Sequence, residues 1–200
     1  MTTDSQSSKN QDKVGLQSKA ILRIAFLAVS TVLVFLVTRL AAVPISAFNG
    51  QEFDLGDVMI FTFAWTFGPG VGAFAGGIGS ALSDASLPSP FAPFTLVIKG
   101  AEGFLAGYVA RGASFSNGKP RTIFGRRTLS WILASSAMVG GYFLTNWIGL
   151  GYGLLVGLYE VPFDILQVVA GGLIGGPVSR YLRNSLPAVA PSMEALAGKK

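Results

Sequence analysis

Apolar residues in this chain are gathered into six blocks, separated by short stretches that are polar or rich in glycine and proline. A block of about 20 apolar residues is long enough to cross a bilayer as a helix. We therefore predict six transmembrane helices, of which the second and third are shorter than a full span. Their predicted bounds are Ala20–Val43, Val58–Phe67, Val71–Asp84, Phe94–Arg111, Thr128–Leu150 and Gly153–Leu182.

The composition agrees with this pattern. Of the 200 residues, 50% are hydrophobic and only 12% are charged, with a mean hydropathy of +0.55. A soluble domain carries about a quarter of charged residues. We predict an all-α membrane protein, a six-transmembrane-helix bundle that lies in the lipid bilayer of the plasma membrane.

The basic residues predict the orientation of the bundle. With six spans, all of the 15 Lys and Arg residues except Arg39 and Lys99 fall on one side. Cytoplasmic loops are enriched in Lys and Arg, so we expect this side, and both chain termini, to be cytoplasmic. The other side holds an acidic connection, Pro44–Asp57. The basic residues on the predicted inner side are Lys9, Lys13, Lys19, Arg23, Arg111, Lys119, Arg121, Arg126, Arg127, Arg180, Arg183, Lys199 and Lys200.

The chain is predicted to have three parts. Residues 1–19 are polar and rich in Ser and Gln, which is typical of a disordered cytoplasmic tail. Residues 20–183 form the membrane domain, and residues 184–200 form a cytoplasmic C-terminal tail. The first apolar block is longer than the core of a signal peptide and lacks a convincing cleavage site, so we interpret it as an uncleaved helix.

Apart from residues near the helix ends, four ionisable residues lie inside predicted helices, which is costly in a bilayer and typical of a functional site. Lys99 and Glu102 are three residues apart on one helix face and can pair. Glu160 and Asp164 are four apart, share a face and repel each other, so they need a cation, a ligand or a proton. The first pair could equally serve to hold two helices together.

Several function classes are excluded or disfavoured. The chain has no Cys and no His, which removes thiol nucleophiles, Ser-His-Asp triads and histidine metal sites. The basic loop Gly112–Pro120 resembles a nucleotide-binding loop, but the glycine spacing is wrong and Pro120 replaces the magnesium-binding hydroxyl. We therefore expect no ATP site, no metal, no resident cofactor and no nucleic-acid partner. The glycine-rich stretch Gly68–Ala85 predicts close helix packing.

Three stretches, taken in order, resemble one family. They are "FDLGDVMIFTFAWTFGPGVGAFAGGIGSALSDA", "APFTLVIKGAEGFLAGYVAR" and "YEVPFDILQVVAGGLIGGPV". The chain is identified by them as similar to the substrate-binding S components of energy-coupling factor (ECF) vitamin transporters, closest to the riboflavin-type branch. The resemblance covers roughly Phe53 to Arg183.

The resemblance implies a six-helix bundle that binds a water-soluble vitamin or precursor near its outer face. It implies three further partners: a transmembrane coupling protein and two cytoplasmic ATPases. Riboflavin is the favoured ligand by branch, and hydroxymethylpyrimidine or pyridoxine suits an acidic pocket about as well. The vitamin would be a transported ligand and no cofactor.

The resemblance also suggests which residues form the site. We expect ligand contacts from the first outer connection and from the outer parts of the fourth, fifth and sixth helices. The candidates are Phe53, Lys99, Glu102, Tyr142, Asn146, Trp147, Tyr159, Glu160, Asp164 and Gln167. Ala25 and Ala28 are candidates for the coupling surface, although they are three apart where the family often has an Ala-x-x-x-Ala spacing.

Two other classes remain open from the residues alone. A membrane scaffold or assembly protein would not explain four charges near one face of the bundle. An intramembrane enzyme would need a nucleophile–base pair or a metal site, and the sequence offers neither histidine nor cysteine.

Overall fold

The computed structural model describes residues 3–45, 52–87, 89–111 and 123–185, and within them the chain is almost entirely helical. Six α-helices are found in these ranges, one for each predicted apolar block. A five-residue π-helical turn, Thr145–Gly149, extends the fifth helix. The helices are α1 Thr3–Leu40, α2 Gly56–Phe67, α3 Pro69–Ala85, α4 Ala92–Arg111, α5 Ile123–Leu144 and α6 Leu154–Ser185.

The structure differs from the predicted all-α chain in one short β-ladder. Strands β1 (Val43–Pro44) and β2 (Glu52–Phe53) pair antiparallel, with Val43 opposite Phe53. They tie together the two ends of the connection between α1 and α2. Helix α1 includes most of residues 1–19, whose assignment as a tail stays a prediction. The predicted C-terminal tail beyond residue 185, and residues 112–122 of the basic loop, lie outside the described residues.

Three of the described helical segments are long and apolar enough to cross a membrane: Ala20–Leu40, Gly125–Gly149 and Leu154–Ser185. Helices α2 and α3 are shorter, with 12 and 17 residues. At 1.5 Å per residue, α2 spans only about 18 Å, against about 30 Å for the hydrocarbon core.

Short α2 is the central helix of the bundle. Its residues from Ile60 to Phe67 are all buried, packed among α1, α3, α4 and α6. Two apolar clusters flank it: Val34 and Val71 belong to the one with α1 and α3, and Ala106 and Ala134 to the one with α4 and α5. A helix that its neighbours bury over this length makes no contact with lipid there, so it tolerates a length below that of a full span.

Arginines gather where α2 ends. Arg111 donates to the carbonyl of Phe67 at 2.6 Å, and Arg183 donates to the carbonyl of Trp65. Arg127 lies 5.9 Å from the ring of Trp65. The last carbonyls of a helix lack intrahelical donors and carry partial negative charge, so cations are favoured there. The predicted grouping of basic residues from different loops at one end is confirmed for these three arginines; we call this the basic end.

Glycines let the short helices approach closely, as the glycine-rich pattern predicts. A Cβ atom added at Gly72 of α3 would lie 2.6 Å from the carbonyl oxygen of Gly103 on α4. One at Gly77 would lie 2.8 Å from the carbonyl oxygen of Leu96. The α2–α3 turn uses glycine differently, since Gly68 has φ 93°, a conformation that side chains disfavour.

We predict that Gly72→Ala lowers the melting temperature of the purified protein in detergent, because the new methyl group forces α3 and α4 apart at a cost of about 1–3 kcal/mol. Gly70→Ala is the matched control in the same helix, since nothing lies within 4 Å of a Cβ there. Alanine favours the helix at that position, so the control should melt at the wild-type temperature or above. Equal losses in both variants would contradict the close-packing explanation.

Candidate functional site

A charged triad lies buried between α2 and α4. The ammonium of Lys99 pairs with Asp57 of α2 and, at 3.4 Å, with Oε2 of Glu102 on its own helix. All three side chains are at most 2% exposed. The predicted Lys99–Glu102 pair is therefore confirmed, and the structure adds Asp57 as the nearer partner from another helix.

Local sequence explains how Asp57 reaches this position. It is the second residue of α2, and an acidic residue in the first helical turn is favoured by the unpaired N–H groups there. On α6, a Cβ atom at Gly171 would lie 2.7 Å from the Cβ of Asp57, so only glycine leaves room for the two helices to meet there. The apolar block begins at Val58, which is why Asp57 is assigned to the polar connection when the sequence is read alone.

A small polar cavity lies next to the triad, at the end of the bundle away from the arginines; we call it the acidic cavity. Its volume is about 30 Å³, the space that one water molecule occupies in the liquid. Four carboxylates contribute to its wall, and no Lys or Arg is among the described lining residues. The lining is formed by Glu52, Asp54, Asp84, Ser89, Phe91, Met138, Tyr142, Asp164 and Gln167.

Tyr142 joins the triad to the acidic cavity. Its hydroxyl donates to Oγ1 of Thr95 at 3.1 Å, and Thr95 donates to Oδ2 of Asp84 at 2.5 Å. The ammonium of Lys99 lies 5.6 Å from the centre of the Tyr142 ring, within the distance of a cation–π contact. Tyr142 therefore contacts both sites, and a movement of its side chain in the acidic cavity would alter the surroundings of Lys99.

Asp54, in the described end of the connection between α1 and α2, is hydrogen-bonded to α6. Its backbone N–H donates to Oε1 of Gln167 at 3.4 Å, and Nε2 of Gln167 donates back to Oδ2 of Asp54 at 3.3 Å. Its other oxygen accepts from the N–H of Gly56 at 2.6 Å. Burial raises the pKa of the Asp54 carboxyl to about 7, with Lys99 opposing the shift and Asp57 adding to it.

The π-helical turn after α5 directs Asn146 into the bundle. Its Nδ2 donates to Glu160 of α6 and, at 3.1 Å, to the carbonyl of Tyr142. Asp164, one turn further along α6, is 3% exposed and lines the acidic cavity. Its Oδ2 has no hydrogen-bond partner among the described residues, so a donor from a bound molecule would find an acceptor ready.

The structure brings seven of the ten predicted site residues to the same end of the bundle. Tyr142, Asp164 and Gln167 line the acidic cavity, and the other four lie buried beside it: Lys99, Glu102, Asn146 and Glu160.

The other three predicted ligand-binding residues are not among the described residues that line the acidic cavity. Trp147 and Tyr159 are 43% and 58% exposed. Each ring packs at a tilt on the surface of the bundle, Trp147 against Phe143 and Tyr159 against Phe163. Phe53 is partly buried in β2 and is not among the described lining residues. Ala25 and Ala28 are exposed on α1, so a role in coupling stays a prediction.

Sequence reasoning missed the carboxylates that come from helix ends and from the first connection. Asp84 is the only charged residue of α3, a signal that could have marked it. Glu52 and Asp54 were noted only as part of an acidic loop. No group of three or more potential metal ligands of suitable geometry occurs in the described part of the chain.

We predict that Lys99→Met destabilises the protein by about 3–5 kcal/mol, because it leaves two buried carboxylates without their cation. The double variant Lys99→Met/Asp57→Asn should recover part of this loss, since one of those carboxylates is then neutral. Thermal unfolding in detergent measures both. A double variant that is less stable than Lys99→Met would show that Asp57 and Lys99 do not act as a pair.

The raised pKa of Asp54 predicts a pH dependence. The folded state holds this proton up to about pH 7, whereas the unfolded chain releases it near pH 4. The stabilisation is therefore complete below about pH 4 and is lost as the pH rises through 7. The melting temperature should fall between pH 5 and 8, and Asp54→Asn should reduce that fall. Ser89→Ala, a neutral change in the same cavity wall, should leave it unchanged; a full fall in Asp54→Asn would contradict the assignment.

Sequence comparison identifies known proteins to which this chain is similar. The family model described as "ECF-type riboflavin transporter, S component" matches residues 18–184. A Pyrococcus woesei protein, described as an uncharacterized protein in a gap 3' region, is 40% identical over 149 residues, which are 74% of this chain and 93% of that protein. The thiamine precursor transporter HmpT of Lactococcus lactis subsp. cremoris (strain MG1363) is 30% identical over 172 residues, 85% of this chain and 93% of the relative.

The predicted resemblance is thereby confirmed, and so is the prediction of a transport component that is not an enzyme. The apolar helices fit a membrane protein that takes up a vitamin together with ECF partners. From the match over residues 18–184, the chain belongs to the ECF-type riboflavin transporter S component family.

Proposed function

We propose that this chain captures a small water-soluble vitamin or vitamin precursor in the acidic cavity. It then releases the ligand inward when it is docked on an ECF module of one coupling protein and two ATPases. The observation that carries the proposal is a carboxylate-lined cavity, with one unsatisfied buried acceptor on Asp164, at the end of the bundle opposite the arginines.

The proposed topology has six spans with both termini in the cytoplasm. The basic end would face the cytoplasm because positive residues are retained there, and the acidic cavity would then face outward. Helix α2 would cross as a short span that α1, α3, α4 and α6 shield from lipid. Helix α3 would cross with one face exposed to lipid, since Phe74 and Leu82 are exposed there. Residues 1–19 and 184–200 would be the cytoplasmic tails.

Riboflavin is the first candidate ligand because the matching family model carries that name. Carboxylates accept strong hydrogen bonds from ring N–H groups and from hydroxyls. The aromatic rings of Phe91 and Tyr142, whose centroids are 6.4 Å apart at the cavity wall, could face a flat ring system.

An aminopyrimidine precursor of thiamine, such as hydroxymethylpyrimidine, is the second candidate. Two observations favour it: a relative is a thiamine precursor transporter, and the described cavity wall offers four carboxylates with no lysine or arginine. Such a wall suits a ligand that carries only donors or a positive charge.

Ligand binding would require the cavity to open, since about 30 Å³ is far below the 300–1,000 Å³ of a typical ligand site. The movable wall would be the described end of the first connection, residues 52–55, which the Asp54–Gln167 hydrogen bonds attach to α6. Those two bonds, at 3.4 and 3.3 Å, are longer than the usual 2.9–3.0 Å.

We predict that the purified chain alone binds one of the two candidates, measured by isothermal titration with riboflavin and with hydroxymethylpyrimidine. Asp164→Asn should lower that affinity roughly 10- to 100-fold, because a charge-assisted hydrogen bond contributes about 1.5–3 kcal/mol. Its melting temperature should barely change. Tyr159→Phe, an outward-facing residue of the same helix, is the control and should bind as the wild type does.

The variant Glu160→Gln tests whether Glu160 stabilises the fold or binds the ligand. Because Glu160 is bonded to Asn146 and is not among the described lining residues, this variant should lose melting temperature more than affinity. Binding of neither candidate would reject both ligands. Unchanged affinity in Asp164→Asn would place the site elsewhere.

The topology is tested with single cysteines, since the chain has none. Ser86→Cys, in an exposed turn after α3, should react with a membrane-impermeant maleimide in intact cells. Ser185→Cys, exposed at the end of α6, should react only after permeabilisation. The reverse pattern would indicate the opposite orientation. Labelling of both positions in intact cells would contradict the three spans, α4, α5 and α6, that the proposed topology places between them.

A further inference from the structure

A groove follows the outer side of the α5–α6 contact, starting at the basic end. Its first part has a volume of about 680 Å³, and its continuation towards the middle of the bundle about 460 Å³. The two parts meet at Trp131, which lines both. Neither part overlaps the acidic cavity.

Positive charge lies at one end of this groove. Arg127 of α5 and Arg180 of α6 line the first part, and no Asp or Glu is among its described lining residues. Arg127 reaches Oγ of Ser179 at 3.4 Å, a long bond that uses one of its five N–H donors. Arg180 is exposed. Both guanidinium groups can therefore donate to an anion placed between the helices.

The rest of the groove is lined mostly by apolar residues and is open along the surface of the bundle. Glycine in α6 leaves space for the indole of Trp131 in this groove, since a Cβ atom at Gly172 would lie 2.6 Å from the indole nitrogen. That nitrogen donates to the carbonyl of Val168 at 2.8 Å, which fixes the indole as the floor between the two parts. Tyr181 is 70% exposed at the basic end, the position where aromatic residues meet lipid headgroups.

The length of the groove matches one leaflet. Along α5, the path from Arg127 to Gly140, both of which line it, covers about 20 Å. One leaflet contributes about 15 Å of hydrocarbon. An amphiphile with its headgroup at the arginines would thus keep an acyl chain in contact with protein to the middle of the membrane.

We propose that this groove holds one anionic phospholipid, with its phosphate on Arg127 and Arg180 and one acyl chain along Trp131 towards Gly140. The pairing of a basic mouth with an apolar channel selects an anionic lipid over a zwitterionic one. A protein helix would also cover the apolar part, yet it would not by itself neutralise the two arginines. The site is independent of the vitamin and of its identity.

Native mass spectrometry of the purified full chain tests this directly. The probes are phosphatidylglycerol, phosphatidylcholine and glycerol phosphate, each added to delipidated protein in detergent. We expect one phosphatidylglycerol to be retained in preference to phosphatidylcholine, and no retention of glycerol phosphate, which lacks the acyl chains. Arg127→Gln/Arg180→Gln should weaken phosphatidylglycerol retention roughly tenfold, and Arg180→Gln alone, an exposed change, should weaken it severalfold.

Arg126→Gln is the matched control, because it removes a charge at the same end from a residue that is not among the described groove-lining residues. It should retain phosphatidylglycerol as the wild type does. Equal retention of both lipids, or the same loss in all three variants, would overturn the proposal. A dimer that disappears in Arg180→Gln would assign the groove to a second copy instead, and glycerol phosphate binding would reduce it to a site for free phosphate.

Discussion

The ammonium of Lys99, held between two buried carboxylates, is the constraint on which the rest of this bundle depends. Removing three charges from water inside a membrane protein is tolerable only if they find each other. Asp57 and Glu102 meet that condition from two different helices, so α2 is fixed in height and rotation against α4. Once the start of α2 is fixed, the residues just before it are placed at the same end of the bundle, and Glu52 and Asp54 form part of the wall of the acidic cavity there.

Much of this architecture follows from the sequence. A long apolar block is stable in a bilayer as a helix, because a helix satisfies its own backbone hydrogen bonds. Each of the six predicted blocks is found as a helix in the structure. The predicted pairing of Lys99 with Glu102 also holds, because a spacing of three residues places both on one face. The glycine pattern correctly indicates close packing, as Gly72 shows against α4.

The remaining part of the site depends on contacts between segments far apart in the chain. The pairing of Asp57 with Lys99 spans 42 residues, and that of Asp54 with Gln167 spans 113. No local sequence period determines which carboxylate pairs with Lys99. The rotation of α2 against α4 determines it, and Gly171 of α6 leaves the space that Asp57 needs in this rotation. The same argument explains Trp147 and Tyr159, which look like ligand-stacking residues in sequence but turn outward on their helices.

The small volume of the acidic cavity has a consequence for affinity. If the closed form is dominant, a ligand binds only the fraction of molecules that are open, and the measured Kd equals the intrinsic Kd divided by that fraction. A closed population of 99% would weaken the apparent affinity about 100-fold without altering a single contact to the ligand. In the proposed site, the residues of the first connection that close the cavity would set the affinity together with the carboxylates. Substitutions that strengthen or weaken the Asp54–Gln167 hydrogen bonds would then shift the ligand concentration at which the protein is half saturated, with no change in the groups that contact the ligand.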